Sequence, residues 1–211
     1  MNYIEAPRGA SKANLEQYAN GIGQMEQLAR SLQSQELLPE RFAPEPSRLR
    51  TSLEGRVRQE TLTIGGKTSQ ELLGALTQGG FRIGSYARSM MESPAFTTLP
   101  EPQEIDLVRL QVKDLGISKN IPTTDEIYAK AQELGLDLCP AEVGPQLRLK
   151  YKDQPRGEWV TIGMKQIPAS DGYPNVFEVG RHGRGLWLPS RWTRPDLWWN
   201  PGDQFVFSLR K

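Results

Sequence analysis

The chain has 211 residues, of which 37% are hydrophobic and 24% charged, and its formal net charge is +1. That is enough for one sizeable core or two small domains, and it argues against both a low-hydrophobicity disordered chain and a protein whose main business is neutralising phosphates, although acidic residues elsewhere can hide a local basic face. A single cysteine, Cys139, excludes an internal disulfide, and no run approaches the roughly 18 apolar residues of a membrane span. With no apolar core of signal-peptide length near Met1, the expectation is a soluble, cytoplasmic protein in a reducing compartment.

Residues 11–34 carry Leu15, Tyr18, Ile22, Met25, Leu28 and Leu32 at three- and four-residue steps, the spacing of one face of an amphipathic helix. Gly21 and Gly23 weaken it by about 1 kcal/mol each relative to alanine, so the helix, assigned to residues 1–38, needs a partner surface. The body, a second copy or another protein would each serve. Pro39, Pro44 and Pro46 then favour extended backbone, and residues 39–60 read as a linker and connecting segment. Residues 61–211 follow as one α+β domain, helical over 61–150 and β-rich over 151–211.

Within that domain, Thr68 and Glu71 are spaced as a capping box, Leu72, Leu73 and Leu76 form a stripe, and Gly79-Gly80 stops the helix. Ile83, Tyr86, Ala87, Met90 and Met91 suggest a second helix ended by Pro94. The run from Ile105 to Gly116 fits a helix or, by its β-branched content, a strand, and helix is favoured. Thr123 and Glu126 cap a clearer helix that closes at Gly135. Around Pro140, Gly144 and Pro145, a short helix or the start of a strand both fit. From Gly157 the period changes to two, as in Val160, Ile162 and Met164 and again in Phe205, Phe207 and Leu209. NVFEVG reads as a strand, Asp171-Gly172 as a turn and RHGRG as a loop leading into LWLPS.

Several segments invite chemical readings. IGGKTS resembles the end of a phosphate-binding loop, but Thr61 stands where that motif needs its first glycine, so Thr68 reads as a helix cap. Gly84-Ser85 lacks the second glycine of a nucleophile elbow, Ala87 occupying that place. His182 is the only histidine, which excludes paired-histidine zinc sites. Glu142, Glu158, Asp171, Glu178 and His182 are the acid or base groups an enzyme would draw on, and no spacing among them identifies a reaction.

The C-terminal third is aromatic and basic together. Arg181, His182 and Arg184 form a cationic glycine loop suited to anions, and Trp187, Trp192 and Trp198 interleave with Arg191 and Arg194. Trp199 belongs to the same run. Such residues build a core or a protein interface, or stack on bases or sugars. The order of elements from 105 to 188 also suits a winged helix with Cys139–Lys150 as its recognition helix, offering Gln146, Arg148 and Lys150 to bases, although Gly144 and Pro145 tell against unbroken turns there.

The blocks TIGGKTSQELL, SYARSMM, LCPAEVGP, YKDQPRGEW and GLWL resemble a widespread group of bacterial proteins of about this size. The resemblance covers most of the chain after residue 60; it implies a bacterial origin and carries no activity, cofactor or partner with it.

The expectation is therefore an α+β protein, an N-terminal helical region followed by a small antiparallel β-sheet module, acting as a non-enzymatic binding or adaptor module. Its recognition residues would be Arg181, His182, Arg184, Trp187, Arg191, Trp192, Arg194 and Trp198. No metal or cofactor is expected. A protein partner or self-association is expected, with nucleic acid as the alternative through a winged-helix-like unit, and no membrane contact.

Overall fold

Alternation of Leu62 and Ile64 with Thr61 and Thr63 extends the backbone into β1 (Arg58–Ile64), the first strand of the sheet that organises the described residues. The computed structural model describes residues 57–183 and 185–210. The amphipathic helix assigned to residues 1–38, the linker up to residue 56, and Arg184 lie outside the described residues. Those described all fall within one compact unit.

After β1 come α1 (Ser69–Gln78), β2 (Arg82–Ile83), α2 (Ser85–Glu92), β3 (Gln103–Gln111) and a 3₁₀ turn (Val112–Leu115). They are followed by α3 (Thr124–Glu133), β4 (Leu136–Asp137), α4 (Val143–Lys150) and β5 (Trp159–Ile162). The last strands are β6 (Ile167–Pro168), β7 (Pro174–His182), β8 (Gly185–Leu188), β9 (Ser190–Trp192) and β10 (Gln204–Leu209). Ten strands join one curled, half-barrel sheet whose main path runs β1-β3-β10-β5-β7-β8-β2, with β4 on β10 and both β6 and β9 on β7. Most pairs are antiparallel; β10 with β5 and β2 with β8 are parallel.

This corrects the expected fold class. The chain does not run from a helical region into a small antiparallel module, because strands β1 to β4 fall among the helices and supply both edges of a mixed sheet, β1 at one and β2 at the other. The decisive misreading is the run Ile105–Gln111, favoured as a helix and found as β3. Its later residues Leu107, Val108, Arg109 and Leu110 are all buried, so helices or side chains cover both faces and the polar half of the strand period is missing. The helices at 69–78 and 124–133 stand where their caps place them, and the helix at 85–92 ends just before Pro94. Thr68 and Thr123 each accept from the amide three residues on, while Glu71 and Glu126 reach back to the cap amides. Those backbone hydrogen bonds hold both carboxyls below the usual glutamate range.

The sheet carries a core on each face. On one, α1, α2 and α4 cover Leu72, Leu76, Met90, Leu147, Val160, Phe177 and Val206. On the other, α3 covers Val108, Ile127, Tyr128, Trp199, Phe205 and Phe207. Phe205 and Phe207 stack at 5.7 Å and Tyr128 meets both edge-on. Helix α4 tolerates Pro145 because it sits in the first turn, where its missing amide would have no partner. Gly144 is required there: a Cβ would lie 2.7 Å from that of Phe177. Gln146 and Arg148, the side chains expected to face bases, are buried against the sheet. Among the described residues no helix is long and apolar enough to cross a membrane.

Candidate functional site

Strand β7 is the spine of the C-terminal third, because β8 and β9 pair with it in one continuous register. Residues directly opposite in an antiparallel pair share a face, and neighbours along a strand alternate. Gly180 opposes Trp187 and Val176 opposes Arg191, so those four share a face with Glu178 and His182. Asn175 opposes Trp192 and Arg181 opposes Leu186 on the other face. The aromatic-basic residues thus divide by parity into two surfaces.

On the Trp192 face, the β6–β7 hairpin turns at Asp171-Gly172, with Gly172 at φ +79 and the Tyr173 amide donating to Asp171 Oδ1 at 3.0 Å. The Ser170 amide donates to Ser89 Oγ at 3.1 Å, tying this turn to α2. Tyr86 of α2, Tyr173 and Trp192 thereby converge on a cleft of about 540 Å3, completed by Asp171, Asn175 and Ser190. The three rings are 46%, 59% and 43% exposed, and Tyr173 meets Trp192 edge-on at 6.4 Å. Arg194 lies over the Trp192 ring at 4.9 Å and pairs with Asp196 at 3.1 Å.

On the opposite face the sheet is only partly covered. Near α3, Arg191 lies 4.3 Å from the Trp199 ring centre and pairs with buried Glu178 at 3.4 Å. Burial pushes the Glu178 carboxyl up, against the pull of Arg191. Further along, Trp159, Gly180, Trp187 and Arg82 stand opposite one another across β5, β7, β8 and β2. A Cβ on Gly180 would sit 2.1 Å from the Trp159 ring, so the indole lies down on the glycine backbone. His182 continues the surface, its ring 6.4 Å from that of Trp159 and tilted by 31°. Arg82 covers Trp187 at 5.2 Å.

The other expected residues take separate places. Arg181 is half-buried and donates to the Gln154 carbonyl at 2.9 Å. Trp198 is 69% exposed and bridges to Thr123 ahead of α3, while the neighbouring Trp199 is buried and donates to Thr124 Oγ1 at 2.9 Å. Among the described residues, then, Trp192 joins Arg194, and His182 shares a face with Trp187 and Arg191. Neither group includes Trp198 or Arg181.

The polar groups with a chemical look are structural. The buried Glu142 carboxylate accepts from the Gly65 amide at 2.7 Å and the Leu99 amide at 2.8 Å, so a protein carboxylate occupies the anion-binding amide of the IGGKTS turn. Arg148, fully buried, donates to Gln154 Oε1, to the Gly180 carbonyl at 3.3 Å, to the Trp187 carbonyl at 3.4 Å and to the Tyr151 carbonyl. Burial lowers its pKa to about 10. Cys139 is buried with its thiol donating to the Val206 carbonyl, and burial pushes its pKa up, the opposite of what a nucleophile needs.

Sequence reasoning passed over Tyr86, Tyr173, Trp159 and Arg82. Trp159 had a signal: it stands in phase with Thr161, out of phase with the core residues Val160 and Ile162. A large ring on the polar phase of a strand is marked for the outer face. Tyr86 and Tyr173 had none, because only the folded hairpin brings them together. Comparison with protein-family profiles, with curated proteins and with solved structures finds no match.

Proposed function

We propose that this chain is a non-enzymatic binding module that recognises a protein partner through the cleft of Tyr86, Tyr173 and Trp192. The observation that carries this reading is the convergence of three exposed aromatic rings from two separate segments on one cleft. Exposed aromatics are the residue types that anchor interfaces, since each offers a large, rigid surface at low entropic cost. Two perpendicular ring planes, Tyr173 and Trp192, form a notch suited to an apolar side chain. Asp171 and Ser190 supply a polar rim, and the stacked Arg194 holds one face of the indole in place. The buried positions of Glu142 and Cys139, each satisfied by backbone groups, fit a scaffold role for the groups an enzyme would use.

The test is nuclease-treated copurification from the native bacterium with tagged wild type, Tyr173→Ala/Trp192→Ala, and Trp198→Ala as control. A protein retained by wild type and control but lost from the double variant is the expected result. Recovery of the same set by all three, or of the tagged chain alone, contradicts the reading.

A further inference from the structure

We infer that the sheet surface carrying Trp159, His182 and Trp187 is a stacking platform for single-stranded nucleic acid, distinct from the Tyr173–Trp192 cleft. Three observations converge on it. First, Gly180 lets the Trp159 indole lie flat on the strand, which turns its π-face toward solvent and leaves it 39% exposed. Second, the His182 ring stands 6.4 Å from that of Trp159 at a tilt of 31°, so two rings from adjacent strands lie close together on this surface. Third, the charge beside it is cationic. Arg82 caps Trp187, and Arg156 is exposed one residue before Gly157, whose amide donates to the Arg181 carbonyl at 2.8 Å. The carboxylate that the register adds to this face, Glu178, is buried and paired with Arg191.

A flat ring suits any base, since every base has a π-face, and flanking arginines suit the phosphates between bases. A double helix keeps its bases stacked on one another and has no such ring to offer. A neutral sugar would use the ring and leave the arginines without a role. The platform is also held rigidly from beneath: buried Arg148 donates to the carbonyls of Gly180 and Trp187, the two residues at its centre. Recognition here would be tolerant of sequence, since among the described residues no row of hydrogen-bonding side chains stands beside the rings.

The experiment is fluorescence anisotropy of a labelled oligouridylate of about twelve nucleotides, within the usual range of single-strand site sizes, against the full chain. The expected result is binding that weakens with salt, with a log–log slope of about −0.7 per phosphate neutralised. Trp159→Ala should weaken it by about tenfold or more, Trp159→Phe should retain most of it, and Arg82→Ala should flatten the slope by about 0.7. Thermal melting checks that each variant is folded. The Tyr173→Ala/Trp192→Ala variant should bind the oligonucleotide as wild type does, which separates this platform from the proposed protein cleft. Absence of binding, equal binding of a duplex, unchanged binding by folded Trp159→Ala, or binding of a neutral oligosaccharide in place of the oligonucleotide would each overturn the inference.

Discussion

Arg148 and Arg194 each sit against an aromatic ring, 5.5 Å from Phe81 and 4.9 Å from Trp192 respectively, yet they do opposite work. Arg148 is fully buried, and its guanidinium fastens the carbonyls of Tyr151, Gly180 and Trp187 together with the Gln154 side chain. Arg194 is exposed and paired with the exposed Asp196, beside a ring that is itself open to solvent. An arginine against an aromatic ring thus helps build the interior of the half-barrel in one place and flanks the proposed recognition cleft in the other. What separates them is the number of fixed backbone acceptors around the cation, a quantity invisible in composition.

The sharpest way to break this contrast is Arg148→Ala, which strips several buried acceptors at once. It should cost about 3–5 kcal/mol and lower Tm by roughly 10 °C, whereas Arg194→Ala should stay within about 0.5 kcal/mol; calorimetry of the two variants checks both. Equal losses would erase the distinction. Next in size is Glu142→Ala, which leaves the Gly65 and Leu99 amides without their carboxylate and should cost about 2–4 kcal/mol. Glu142→Gln keeps one acceptor oxygen and should recover part of that loss on a denaturant curve. Gly180→Ala should cost about 1–3 kcal/mol, because its Cβ must lift the Trp159 ring, and it should shift that indole's emission.

The smallest effect concerns pH. The Glu178 carboxyl is raised above its ordinary value of 4.5 by burial, with Arg191 only partly offsetting this. Between 4.5 and the raised value the folded state binds more protons than the unfolded state, so this group's contribution to stability falls as pH rises through that window. Glu178→Gln should remove that fall, seen as a smaller difference in Tm across the window than in wild type. An unchanged pH profile would mean that Glu178 is as well solvated as in the unfolded chain.

Legibility in the sequence followed locality. The capping boxes at Thr68 and Thr123 are settled by residues three apart, and both helices begin where those pairs say. The period-two run of β5 and the Asp171-Gly172 turn were likewise readable, since alternation and turn chemistry are short-range. Strand β3 was not, because Val108 and Arg109 are covered from opposite sides by elements later in the chain, the α3 side of the core on one face and Tyr151 on the other. The Trp/Arg cluster was visible as composition, but its division into two surfaces depends on the register of β7 against β8 and β9. Only that register puts Trp187 with His182 and sends Trp192 toward Tyr86.

The central claim, that exposed aromatic rings around β7 recognise a partner while the buried arginine holds the strand, is tested most directly by nuclease-treated copurification with wild type and folded Tyr173→Ala/Trp192→Ala. The account predicts a protein bound by wild type and absent from the double variant at unchanged Tm. The same protein recovered with both would contradict it.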